Sequence, residues 1–462
     1  MKREYTHLKN QPIKPMMRQS LTKLKIVAFL FLQTVSLHAQ ENSFTLQQAI
    51  DYALKNQTSI RNAQIDEEIA AGKVNELIGA GTPQLSGTAD LNNFIDIPVS
   101  FVPGEFFGGD AGTFLPVRFG QQFSASAGIS LSQLLFDGSY LVGLQASKTY
   151  LELSRKQTRQ SRTETAVNVS KAYFGALVSN ARLGFIEANL QRIKKLLDDT
   201  RALQEAGFAE KLDVDRIELN YNNLSVEKEK ILRFRLISYA LLKFQMGFPP
   251  DKELTLSDPL DEMALKAPDV PETLRLENRP EFQVLTVSRQ LQSLDLKRNK
   301  AAYLPSLVAF GRFSYFNARN SFDIFQPGLR WFPTTLIGAQ LNIPIWDGLQ
   351  KNARISQSRL NLQKVDNALE QMKNGFRLEM ESARINFMNY MESLAIVRKN
   401  RELATEIARV SKIKYESGVG SGLELVNAES DLREAEANYF NTLYETIIAR
   451  IDLDKSAGSL NY

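Results

Sequence analysis

Two histidines and no cysteine stand in the 462 residues, and both histidines, His7 and His38, fall within the first 39. The chemistry those side chains support is therefore missing from everything downstream: zinc ligation by imidazole or thiolate, a cysteine nucleophile, a histidine general base. No glycine-rich Walker-type loop is present to cradle a nucleotide's phosphates. An enzyme would have to rest on carboxylates, for instance a hydrolase with two acids converging on a cleft. No such pair stands out from the many solvated acids. The sequence thus predicts no enzyme, no metal ligand and no cofactor.

Residues 1–39 read as a signal peptide. Lys2, Arg3, Lys9, Lys14, Arg18, Lys23 and Lys25 face one acid, Glu4; the apolar run "IVAFLFL" and the small-residue exit "SLHA" follow, with cleavage expected after Ala39. The run is too short to span a membrane, which takes roughly 20 apolar residues. The leader carries seven of the 56 basic residues and one of the 52 acids, so it holds +6 of a whole-chain +4 and leaves −2 on the rest. The basic balance belongs to the leader and does not argue for nucleic acid. No cysteine follows it to carry a lipid anchor.

Two Asp-Gly steps remain as candidate positioning residues: Asp137 and Gly138 in "LLFDG", Asp347 and Gly348 in "PIWDG". Each follows an alternating stretch and precedes a very long helical one. There Asp can cap a helix and Gly can let the chain change direction. No proline lies between Pro116 and Pro249 or after Pro344. Proline inside a helix costs about 3 kcal/mol, so helices are predicted over 139–205, 213–247, 349–415 and 423–457. Val169, Ala176, Leu183, Leu190 and Leu197 recur every seven residues on the first, with Ala172, Ile186 and Ile193 beside them. A narrow stripe on an otherwise polar helix suits coiled-coil packing.

The proline- and glycine-rich intervals carry strand patterns. Phe123, Ala125, Ala127, Ile129 and Leu131 alternate with small or polar residues. Leu307, Ala309, Phe313 and Tyr315 share one face, and Thr335, Ile337, Ala339, Leu341, Ile343 and Ile345 another. A less regular strand runs around Leu85 to Phe101. Each run is about ten residues, the length of a tilted membrane strand. Four strands cannot close a barrel, for which about eight is the minimum, so transmembrane strands here require several chains to share one. Ile129 and Leu131 would then face lipid.

The chain repeats itself. "KNQTSI" at Lys55 aligns with "ENRPEF" at Glu277, "TPQLSG" at Thr82 with "LPSLVA" at Leu304, and "QEAGFAEKLDVDRIEL" at Gln204 with "YESGVGSGLELVNAES" at Tyr415. The expected organisation is a leader (1–39), a first repeat (40–270) with a strand hairpin over 84–136, and a second (271–462) with one over 305–346. Each repeat reads helix, strand, loop, strand, long helix, Gly turn, helix.

In chain order "LLFDG", "NRPEF", "LPSL", "PIWDG", "YESGVGSGLELVNAES" and "SAGSLN" make the chain resemble the TolC-type outer-membrane factor family over nearly all of its mature length. The resemblance implies a mainly α protein with transmembrane β-structure. In it a homotrimer shares a 12-stranded β-barrel in outer-membrane lipid, continued into the periplasm as a long α-helical barrel. It implies an exit duct for efflux or type I secretion, working with a periplasmic adaptor (membrane fusion protein) and an inner-membrane pump. By position, Tyr415 matches a gate tyrosine bonded to a carboxylate on a neighbouring helix, Asp213 matches that carboxylate, and Glu424 a first acidic ring of the pore entrance. Gly418 belongs to the turn. Gly420 stands where some members have a gate arginine, and Asn427 where some have a second acidic ring. A reading of Asp213 and Glu424 as helix-terminal charges is compatible with either role. The rival architecture, a periplasmic coiled-coil scaffold or adaptor without a pore, explains the helices but not the alternating strands.

Overall fold

The computed structural model describes residues 43–260 and 275–460. The expected leader and the junction of the two repeats near residue 270 lie outside them. The chain divides into two units. One holds residues up to 58 with 165–268 and 385–452; the other holds 59–164, 269–384 and 453 onward.

Seven α-helices are described: α1 (Leu46–Asn56), α2 (Thr58–Ala80), α3 (Gly138–Glu205), α4 (Lys211–Met246), α5 (Pro280–Ala301), α6 (Gln350–Glu416) and α7 (Gly422–Ala457). The strands are β1 (Ser43–Phe44), β2 (Gln84–Asn93), β3 (Val99–Pro103), β4 (Phe114–Arg118), β5 (Phe123–Asp137), β6 (Thr255–Leu256), β7 (Ser306–Arg319) and β8 (Phe332–Asn342). No described helix is long and apolar enough to cross a membrane.

The second unit contains one antiparallel sheet in the order β2-β5-β7-β8 and a separate ribbon of β3 with β4. Its register fixes the faces, because side chains alternate along every strand. Leu85, Ala89, Ala127, Ile129, Leu131, Phe313, Tyr315, Ile337 and Leu341 share one face. The other is lined by Ser86, Thr88, Ser126, Ser130 and Ser314, with Ser86 and Ser130 hydroxyls 2.7 Å apart.

Two expectations about strands need correction. The strand expected to run from Leu85 to Phe101 ends at Asn93, and Phe101 pairs with Pro116 in the ribbon instead. Pro98 lies between the two strands and has no N–H to donate to a ladder. Ile343 and Ile345 lie beyond β8, which stops at Asn342. Pro344 ends the ladder in the same way, so these two isoleucines are not strand residues.

The two Asp-Gly joins differ in detail. Asp137 closes β5, and its carboxylate accepts the Tyr140 amide at 2.8 Å, capping α3. Gly138 has ordinary φ; it is required because a Cβ would stand 2.7 Å from Leu304 Cδ1 and 3.1 Å from the Ala301 carbonyl. At the other join Gly348 takes φ 63° and Leu349 follows at 66°. Asp347 accepts the Lys351 amide at 2.9 Å from one residue further back. Backbone freedom is thus used at Gly348, and close approach at Gly138.

In the same unit Arg279, from "NRPEF", is almost fully buried. It donates to both Glu379 oxygens (3.3 and 3.0 Å) and to the Ser456 carbonyl (3.2 Å), and it stacks on the Phe376 ring at 3.9 Å. The fork geometry ties α5, α6 and the end of α7 together. Replacing Arg279 by Met should lower stability by about 2 kcal/mol, as charge-assisted hydrogen bonds are lost. Thermal unfolding in detergent checks this, and an unchanged midpoint would contradict it.

Candidate functional site: the helical turns and the seams behind them

In the first unit α3 lies between α4 and α7. Leu183, Ile186, Ile193, Leu196 and Leu197 of α3 pack with Val214, Ile217, Leu224 and Ile231 of α4, and Leu425 of α7 joins them. Leu394, Ala404 and Ala408 of α6 pack on α7. The seven-residue stripe on α3 is this seam: Val169, Ala176, Leu183 and Leu197 are buried and Leu190 half-buried. Thr200 continues the companion row Ala172, Ile186, Ile193 at the same spacing and is also buried.

That threonine changes the expected gate contact. The Tyr415 hydroxyl donates to Thr200 Oγ1 at 3.4 Å, not to Asp213. Asp213 lies in the first turn of α4, where its carboxylate occupies the space a side chain at Gly422 would need, with Arg216 at 3.8 Å. Within the chain, Tyr415 therefore reaches α3 and Asp213 faces the start of α7. The physical reason is the seam: Tyr415 packs against the α3–α4 core with its hydroxyl at buried Thr200 of α3, while the Asp213 carboxylate is turned towards Gly422.

The α6–α7 turn is tightly determined. Gly418 adopts φ 73°, and the amides of Val419 and Gly420 both donate to the Lys414 carbonyl at 3.0 Å. A Cβ on Gly420 would lie 2.9 Å from Lys414 Cβ and 3.1 Å from the Tyr415 nitrogen. A side chain, arginine included, has no room there in this turn. Ser421 Oγ accepts the Glu424 amide at 3.2 Å, so Ser421 caps α7 and Glu424 sits in its first turn. The Glu424 carboxylate also accepts from Lys414 Nζ at 3.2 Å, both side chains being about half exposed. Asn427 is exposed one turn further on. The sequence reading missed Thr200 and Lys414. The heptad spacing marks Thr200, whereas nothing in the pattern marks Lys414.

Behind the turns the seam carries a polar layer that sequence reasoning also missed. Arg192 donates to Asn189 Oδ1 at 2.6 Å and to Glu429 at 2.8 Å, and Asn189 donates to Glu436 at 3.3 Å. Glu429 and Glu436 are both buried. Burial pushes the Glu436 carboxyl up to about 8, with the Asn189 hydrogen bond and the Arg192 and Arg401 charges opposing the rise.

A sheet with a serine-rich face and a mostly apolar opposite face, beside helices with heptad seams, suits a duct-forming membrane protein. The family described as Outer membrane efflux protein matches residues 49–224 and 273–459, and the chain belongs to that family. It is an outer-membrane protein and acts as an exit duct for efflux, and the family is one of channels rather than enzymes. TolC of Vibrio cholerae is 21% identical over 342 residues, 73% of this chain and 77% of TolC. OprJ of Pseudomonas aeruginosa is 24% identical over 428 residues, 89% and 84% of the two chains. The fold is also similar to the Campylobacter jejuni CmeC outer membrane channel, with TM-score 0.70 and 17% identity over 89% of this chain and 85% of that one.

The polar layer yields a pH test. Glu436 holds its proton in the folded chain to about pH 8, but an unfolded glutamate releases it near 4.5. Folded chains bind more protons between those values, so this contribution is full below the lower one and is lost as pH rises through the upper. Glu436→Gln should remove on the order of 2 kcal/mol of the fall in stability between pH 5 and 8.5. Denaturant titrations at the two pH values check it; equal pH dependence in both proteins would contradict it.

Proposed function

We propose that three copies of this chain close into one duct, with a shared 12-stranded barrel in outer-membrane lipid and a helical barrel in the periplasm. The observation that carries this reading is a pair of unfinished edges in each unit. In the sheet, β2 and β8 are the outer strands, paired on one side only among the described residues. The order β2-β5-β7-β8 is antiparallel throughout, so β2 and β8 run in opposite directions, and β8 of one copy can extend the ladder at β2 of the next. An open sheet in lipid would leave each unpaired backbone group at a cost of several kcal/mol.

The helices repeat the pattern. Leu212, Leu219 and Val226 form an exposed row at seven-residue spacing on α4, away from its buried seam. Ile396, Leu403 and Val410 form another on α6. Two edge helices with complementary apolar rows suit a head-to-tail interface that closes into a ring. The groove of about 950 Å³ lined by Val178, Phe234, Ile237 and Leu241 lies beside the α4 row and forms part of this interface. The family match in two separate segments supports the twofold internal repeat.

Outer-membrane efflux factors work with a periplasmic adaptor and an inner-membrane pump. In this reading the pump supplies the energy and the adaptor docks at the helical end, where the α3–α4 and α6–α7 turns form the gate. Tyr415 and Thr200 hold α6 to α3 in the closed state. Gly418 and Gly420 shape the turn, and Asp213 packs against Gly422. Glu424 forms an acidic ring at the entrance, which Lys414 partly neutralises, and Asn427 leaves the next turn uncharged.

Purified protein in planar bilayers tests the duct. It should conduct, whereas a soluble, non-conducting protein would overturn the reading. Tyr415→Phe should raise closed-state conductance, and an unchanged value would remove Tyr415 from the gate. Glu424→Gln should weaken block by multivalent cations, and Lys414→Gln should strengthen it. Equal block in all three proteins would remove the acidic ring.

A further inference from the structure

The register places charge on the polar face of the sheet very sparingly. Among the described residues of the four strands, three are charged on the face shared with Ser86, Ser126, Ser130 and Ser314: Asp90, Arg312 and, turned to this face by the bulge between Leu134 and Phe136, Asp137 at the helix join, whose carboxylate caps α3. Asp90 accepts a hydrogen bond from Ser126 Oγ at 3.3 Å. Arg312 is exposed, with Ser130 opposite it on β5 and Leu336 on β8. Phe310 lies two residues away on the same face, its ring covering Gly338, where a Cβ would come within 2.8 Å.

We propose that Arg312 is a specificity-determining residue of the membrane-spanning lumen, favouring anionic substrates. Three copies form a basic ring, and Phe310 and Leu336 beside each guanidinium meet the apolar part of an organic anion. The inference rests on the shared-barrel reading above.

Asp90 does not cancel this ring. It is level with Ser126, and Arg312 is level with Ser130. Four residues along a strand is about 13 Å, and two strand spacings across the sheet add about 10 Å sideways. The separation exceeds the Debye length of about 8 Å at physiological ionic strength, so a permeating ion meets the two charges in turn. β5 runs from the hairpin end at Phe123 to the helix join at Asp137, which places Arg312 on the helix side of Asp90. The basic ring is thus a second filter, separate from the acidic one at Glu424. A guanidinium suits it, being able to grip carboxylate, sulfate or phosphate with two donors.

The absence of cysteine allows a test in two parts. Single Arg312→Cys and Phe313→Cys proteins are treated in the membrane with the impermeant anionic thiol reagent 2-sulfonatoethyl methanethiosulfonate. Labelling at 312 and not at 313 is expected; labelling at 313 alone, or at neither, would overturn the shared-barrel reading and the inference with it. Block of the planar-bilayer current by ferrocyanide, added on the side of the β2–β5 and β7–β8 loops, then tests the ring itself. Arg312→Gln should weaken block on the order of fivefold and Asp90→Asn should strengthen it. With position 312 labelled, undiminished block in Arg312→Gln would overturn the inference and leave the duct reading standing.

Discussion

The outer strands β2 and β8, 10 and 11 residues long, each leave one row of backbone N–H and C=O groups without a strand partner among the described residues. In water such an edge is a liability for aggregation. In hydrocarbon it is untenable, because nothing there replaces the missing hydrogen bonds. In the proposed duct these missing partners come from another chain. That one requirement links the four strands, the alternation of their faces and the proposed sharing of a barrel between copies.

The helical unit answers the same demand with side chains. In the proposed barrel each stave packs on two neighbours, and α4 and α6 carry a second apolar row that is exposed among the described residues. The seams between helices are interrupted by Arg192, Asn189, Glu429 and Glu436. A buried polar layer costs stability unless every group is paired, but it holds the helices to one register. Near the turns the polar contacts between helices are light: a long hydrogen bond from Tyr415 and the half-exposed ion pairs Lys414–Glu424 and Arg201–Glu218. Exposed pairs contribute at most about 1 kcal/mol each. If the turns form the proposed gate, contacts this light leave it poised to open when a partner binds.

Much of the fold was legible because its signals are long. Proline-free tracts and a seven-residue stripe mark α3 over dozens of residues, and strict alternation marks β5. The ends were legible only in part. Pro344 stops β8 at Asn342, three residues before Ile345, and Pro98 separates β2 from a ribbon that pairs with itself. The same Asp-Gly dipeptide hides two geometries, since contact with Leu304 and Ala301 decides one and a positive φ at Gly348 and Leu349 decides the other. The site was harder still. Position suggested Asp213 for Tyr415, but partner choice depends on how three helices pack, and that places Thr200 under the phenol. Gly420 is a glycine because the turn folds back onto Lys414. Arg279 is buried because Glu379, a hundred residues away, meets it.

The central claim is that one chain is an incomplete duct and that closure takes three. Multi-angle light scattering of the detergent-purified, conducting protein tests it most directly. The account predicts a protein mass three times that of the single processed chain. A conducting species with the mass of one chain would contradict it, because a lone four-stranded sheet would then be spanning the membrane with both edges open.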